Sequence, residues 1–190
     1  ALDERRELRQ RQPGLLGDGA EDLVLLPSTS FLVASGMEPG SGLHLIDTRT
    51  KSAQSLTFVA RPDAVRFAGC PGPLDPAAAV LHGLSLRPAE GSHHTLYATN
   101  HGGRESVEVF DLDTQGTTPS LTWIGCVLMP DMLPANSVAA TAGSTAIAMI
   151  SAPSSKSLIP RCATAGPPAC FFAAACRLRA SDSEAIFGSS

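Results

Sequence analysis

The chain has 190 residues, 43% of them hydrophobic, with a formal net charge of −4 and five cysteines, enough for one domain with a sizeable core. The acidic balance, with no Lys/Arg stripe interleaved with aromatics, argues against a nucleic-acid partner. The longest apolar runs fall far short of the roughly 18 residues a membrane-crossing helix needs, so no membrane span is expected.

Residues 1–18 carry Asp3, Glu4 and Glu7 among Arg5, Arg6, Arg9 and Arg11, which predicts a short solvated helix or linker ending before Pro13, since proline restricts its predecessor and removes a donor. The stretch is too charged to be the apolar centre of a signal peptide. Residues 19–151 have the punctuation of an all-β protein. Glu21 to Pro27 and Phe31 to Ser35 form one strand-turn-strand unit, His82 to Pro88 and Thr95 to His101 a second, and Asn136 to Ala140 with Thr145 to Ser151 a third. Each unit opens on a polar residue. Further strands are expected over Gly42 to Asp47, Ser106 to Leu112 and Leu121 to Leu128, with turns at Asp47 to Thr50 and Asp111 to Thr114. The second repeat then has four strands, the usual number in a propeller blade, and a strand-only repeat of about 55–60 residues predicts a β-propeller rather than a helical solenoid.

Arg61 to Ala79 is a long loop before the second head. Cys126 lies in an expected strand and Cys70 in that loop; no CxxC pair occurs, and the loop can fold back over the strand so that a Cys70–Cys126 bridge forms in an oxidising compartment. Arg104 and Glu105 read as a solvated hairpin tip, and His93 and His94 as an exposed turn. Residues 152–190 hold Ser, Ala and Pro clusters and Cys162, Cys170 and Cys176 without strand-turn rhythm, so this tail is expected to be disordered, or non-homologous sequence from a frameshift or mis-splicing.

No Walker loop, dinucleotide fingerprint, HExxH or EF-hand sequence is present, and the segment from Gly83 to Arg87 lacks the second glycine of a nucleophile elbow. What remains is dispersed: Glu21, Asp22, His82, His101 and Asn136. Taken singly, an acidic pair before a strand is a solvated cap and each histidine a hydrogen-bonded structural group. Brought together near a propeller axis, the carboxylates and amide suit a hard cation and the histidines suit proton transfer.

The segments around Glu21-Asp22 with Leu26-Pro27, His82-Gly83-Leu84-Ser85, Asn100-His101 leading to Val107-Glu108-Val109-Phe110, and Leu133-Pro134-Ala135-Asn136-Ser137 resemble the paraoxonase (serum arylesterase) family. That family belongs with the calcium-dependent six-bladed propellers that include senescence marker protein 30 and gluconolactonase. The resemblance covers about residues 19–151 and implies a partial six-bladed propeller of about three blades. It also implies calcium-dependent hydrolysis of a small ester or lactone, and weakly favours an extracellular or exported setting. Glu21 and Asn136 match ligands of the catalytic calcium; Asp22 and the Leu84 carbonyl match ligands of a structural calcium. His82 and His101 match the base and its proton shuttle. Ser137 stands where the family uses an Asp ligand, and no later asparagine supplies the remaining ligands, so weak activity or none is expected from this chain. The alternatives are a propeller fragment that binds a ligand or protein without catalysis, and an inactive truncated product.

Overall fold

The computed structural model describes residues 20–130, 133–141, 145–150, 175–179 and 186–188; the helix expected over residues 1–18 lies outside them. The described residues form thirteen strands and no α-helix, the all-β class expected from the sequence.

β1 (Ala20–Leu25), β2 (Phe31–Gly36), β3 (Leu43–Asp47) and β4 (Ser52–Leu56) form a four-stranded antiparallel meander. The short β5 (Phe58–Ala60) then crosses to the second sheet, in which β6 (Leu81–Arg87), β7 (His93–Asn100), β8 (Ser106–Asp113) and β9 (Ser120–Leu128) repeat the meander. There β5 pairs parallel to β9 on its outer edge. A third meander joins β10 (Ala135–Ala140), β11 (Thr145–Ile150), β12 (Ala175–Arg179) and β13 (Ile186–Gly188). Within residues 152–190, expected to be a disordered tail, the described residues form these last two strands: β12 pairs antiparallel with β11, and β13 with β12; the rest of that segment lies outside the described residues. Cys176-Arg177-Leu178-Arg179 does alternate apolar and basic residues, but a run this short is hidden in a biased segment.

Turn chemistry repeats with the strands. In the β3–β4 turn the Asp47 carboxylate accepts hydrogen bonds from Arg49 N, Ser30 Oγ and Thr50 Oγ1, while Thr48 N and Oγ1 donate to Ser30 O. In the β8–β9 turn Asp113 accepts from Gln115 N, and Thr114 N and Oγ1 donate to Ser92 O. An Asp side chain that binds the backbone two residues on is itself a turn-former. Here the following Thr also clamps the start of the previous hairpin. The two sheets are copies of one unit.

The second sheet is buried on both faces. Against the first sheet it places Leu96, Ala98, Phe110, Leu112 and Trp123 with Leu26, Val33, Leu43 and Leu45; against β10 it places Tyr97, Val107 and Val109 with Ala135 and Val138. Alternate residues of β7 and β8 thus serve different cores, which is why both strands are almost continuously buried. The loop 61–79 runs along the open side of β9: Arg61 N donates to Trp123 O and Asp63 N to Ile124 O. Phe67 then lies where a side chain on Gly125 would have been. This brings Cys70 onto β9, where it forms a disulfide with Cys126 across a Cα–Cα distance of 5.2 Å, the pairing expected from the loop's position.

Candidate active site

The first strand of each four-stranded meander carries a β-bulge, and the polar heads fall in the bulges. In β1 the register shifts between Ala20 and Leu23, so Glu21 and Asp22 lie in the irregularity. The shift in β6 lies between Leu81 and Leu84, around His82 and Gly83, and in β10 between Ala135 and Ser137, around Asn136. A bulge leaves one residue unpaired and re-aims its side chain, which is why bulges recur at functional sites. Three dispersed positions therefore share one structural role.

These three strands are stitched side by side. Asp22 Oδ2 accepts from Leu84 N at 2.8 Å, linking β1 to β6, and Ser85 Oγ accepts from Ala140 N at 2.9 Å, linking β6 to β10. Gly83 makes the second approach possible, since a Cβ there would press on Ser137 Cα and Asn136 O. Asp22 is further fixed by Leu23 N on Oδ1 and by its own N–H to Ser35 Oγ.

His82 is almost fully buried, and its ring nitrogens are both engaged. Nε2 lies 2.9 Å from Glu21 Oε1; Nδ1 lies 3.4 Å from His101 Nε2, with the two rings 5.5 Å apart. His101 follows β7 directly, and its Nδ1 is 2.8 Å from Glu105 Oε2. The result is a continuous chain, Glu105–His101–His82–Glu21. It contains three contacts, each needing one proton, whereas two neutral imidazoles carry only two protons. Either the pair holds one extra proton or one end contact is broken. Glu21, with a side chain 47% exposed beside a His82 at 8%, is the end that can let go.

The loop that presents His101 is rigidly built. His101 N donates to Val80 O. Asn100 Oδ1 accepts from Val80 N and Gly102 N, while Nδ2 donates to Gly102 O and Arg104 O. Gly102 sits against the backbone of Ala78 and Val80 with no room for a Cβ, and Gly103 has φ +74. Arg104 and Glu105, expected at a solvated tip, are instead largely buried: Arg104 makes a two-pronged contact to Glu108, at 2.9 Å for each oxygen. Glu108 is fully buried and also accepts from Ser106 Oγ and Trp123 Nε1. A Glu within the apolar run of β8 was the sequence signal for such a buried partner, because a carboxylate is buried only when compensated. His94, also expected at an exposed turn, is buried within β7, where Nδ1 accepts from Ala89 N.

For a hard cation the donors fit in kind: Glu21 and Asp22 supply carboxylates and Asn136, exposed at its bulge, an amide. They fall short of the 6 to 8 oxygens calcium usually takes, Leu84 meets Asp22 through its N–H, and Ser137 offers no carboxylate. Among the described residues no group of three or more His, Cys, Asp or Glu side chains is placed to hold a metal ion. A full shell would need water, substrate or residues outside those described. No protein-family model matches the sequence, and no curated protein matches it either.

Proposed function

We propose that this chain is a propeller-type hydrolase of small carboxylic esters or lactones that uses calcium, built on about three blades of the six-bladed architecture its motifs resemble. The observation that carries the reading is the hydrogen-bonded pair His82–His101, with His82 at the bulged head of β6 and the carboxylates Glu21 and Asp22 at that of β1. His82 is the general base. With Glu21 turned away from it, Nε2 is free to take a proton from a water molecule, and His101 shares the resulting charge through Nδ1 of His82. Burial of His82 keeps the imidazole in one orientation and excludes competing water contacts. Glu21 and Asn136 would hold the catalytic calcium, which when bound polarises a carbonyl and stabilises the developing oxyanion, and Asp22 with the Leu84 carbonyl would hold a structural one. Because the donor set is sparse, turnover by this chain is weak. The short set also supports a second reading, a propeller that binds a ligand without turning it over.

Hydrolysis of phenyl acetate and of γ- and δ-lactones by the full chain, with calcium in excess, tests this. We expect slow turnover that is abolished by a chelator and reduced on the order of a hundredfold in His82→Gln. Turnover indifferent to both, or none above the uncatalysed rate, would overturn the hydrolase reading; calcium-dependent ligand binding without turnover would establish the second.

A further inference from the structure

We infer that Glu105 is the positioning residue of the histidine pair: by accepting the proton on His101 Nδ1 it sets the direction of the whole chain and leaves His82 Nε2 as the bare nitrogen. The inference deepens the hydrolase reading and rests on it for its catalytic meaning. Its geometric content stands apart from any activity.

A neutral imidazole has one N–H and one lone pair, and which nitrogen has which is set by what its neighbours can accept. A carboxylate only accepts. With Glu105 Oε2 at 2.8 Å, the His101 proton belongs on Nδ1, so Nε2 has a lone pair that faces His82 Nδ1 at 3.4 Å. His82 must then have its proton on Nδ1 to complete that contact, and its Nε2 is the lone pair once Glu21, whose Oε1 lies 2.9 Å from it, turns away. Without Glu105 nothing favours this order. Glu21 would then draw the His82 proton to Nε2, His101 would donate from its own Nε2, and the same two rings would point their basic nitrogen inward. Glu105 and Glu21 thus compete for the polarity of one proton chain, and only the Glu105 order is useful to a base. An orienting carboxylate behind a catalytic histidine is the general solution to this problem.

Glu105 is held to this task from both sides. Its carbonyl accepts from Met129 N, and its neighbours Arg104 and Ser106 are both fastened to the buried Glu108. Arg104 also donates to Gly72 O in the loop 61–79. With side chains only 21% and 18% exposed, the His101–Glu105 contact is largely shielded from water.

Long-range proton–nitrogen correlation spectra of the nitrogen-15-labelled full chain read the tautomers directly. In the unmodified protein we expect the His101 proton on Nδ1; a proton confined to Nε2 would overturn the inference with no variant needed. Glu105→Ala should move it to Nε2, whereas Glu105→Gln, whose carbonyl oxygen still accepts, should keep it on Nδ1. An unchanged tautomer in Glu105→Ala contradicts the inference. In phenyl-acetate hydrolysis Glu105→Ala should lower kcat by about tenfold or more with KM little changed, and Glu105→Gln should recover part of the loss. Tautomers that behave as stated in a chain whose turnover ignores His82 would sustain the positioning role and sink the hydrolase reading. The reverse pattern would sink the positioning role alone.

Discussion

Single side chains in this molecule are governed by whether a partner waits where the fold places them. Outside the candidate site two histidines have opposite fortunes. His93 is exposed, but its ring lies 3.0 Å from Asp111, with Asp113 nearby; the Asp111 hydrogen bond and then its charge raise the His93 pKa above the ordinary 6.5. His44 is partly buried with Nδ1 unpartnered among the described residues, and desolvation holds its pKa below that value. A raised pKa contributes stability below the unfolded-state value and loses it as pH rises through the folded one; a lowered pKa costs stability as pH falls below the unfolded-state value. We expect His93 to titrate above pH 6.5 by proton NMR and to return toward it in Asp111→Asn, while His44→Gln should relieve part of the stability lost on acidification below that pH. No change in His93 with Asp111→Asn would refute the assigned cause. Arg104 follows the same rule at higher stakes: Arg104→Met leaves the Glu108 carboxylate buried against Trp123 without its cation, at an expected cost of about 3–5 kcal/mol in urea denaturation. A cost below about 1 kcal/mol would mean that Ser106 and Trp123 suffice.

At the scale of elements, the site depends on how closely β1, β6 and β10 approach one another. Gly83 is where this is most exposed to test, because a Cβ there would lie 2.6 Å from Ser137 Cα, and backbone rather than a flexible side chain must yield. Gly83→Ala should therefore destabilise by about 1–3 kcal/mol and lower any His82-dependent turnover by separating β6 from β10. Unchanged stability would show that the strands have slack. Strand rhythm made β1 to β3 and β6 to β11 legible in the sequence, because their alternation and turn residues are local signals. The short strands β4, β5, β12 and β13 were not, since Ser52–Leu56 and Phe58–Ala60 become strands only by pairing with neighbours already in place. Among site residues, Glu21, Asp22, His82 and Asn136 were visible as repeat heads, although that a bulge sits at each could not be read from one chain. Glu105 was missed because its partner is four residues back across a glycine turn, and such a loop reads as solvated until Ala78 and Val80 are seen beneath it.

Over the whole molecule the second sheet is the wedge that the other two pack against, and the loop 61–79 is what fastens its outer edge to the histidine loop. Gly40 N donates to Ala79 O, joining that loop to the first sheet. Val80 O holds His101 N, and Gly72 O holds Arg104. The Cys70–Cys126 disulfide anchors the same loop to β9 and closes a 56-residue separation. Chain-entropy reasoning puts the stabilisation from a closure of this length at about 4 kcal/mol, most of it exerted on the unfolded chain, and such a bridge persists only in an oxidising compartment. The double variant Cys70→Ala, Cys126→Ala should accordingly lower the unfolding free energy from urea denaturation by that amount. It should also increase hydrogen exchange at His101 and Arg104 more than at β2 or β3, because the bridge acts through Gly72 and Arg104 on the loop that presents His101. Thiol mapping by mass spectrometry after oxidative refolding should recover the Cys70–Cys126 link. A dominant link from either residue to Cys162, Cys170 or Cys176, or exchange that rises evenly across all the sheets, would show that the loop is not the strut described.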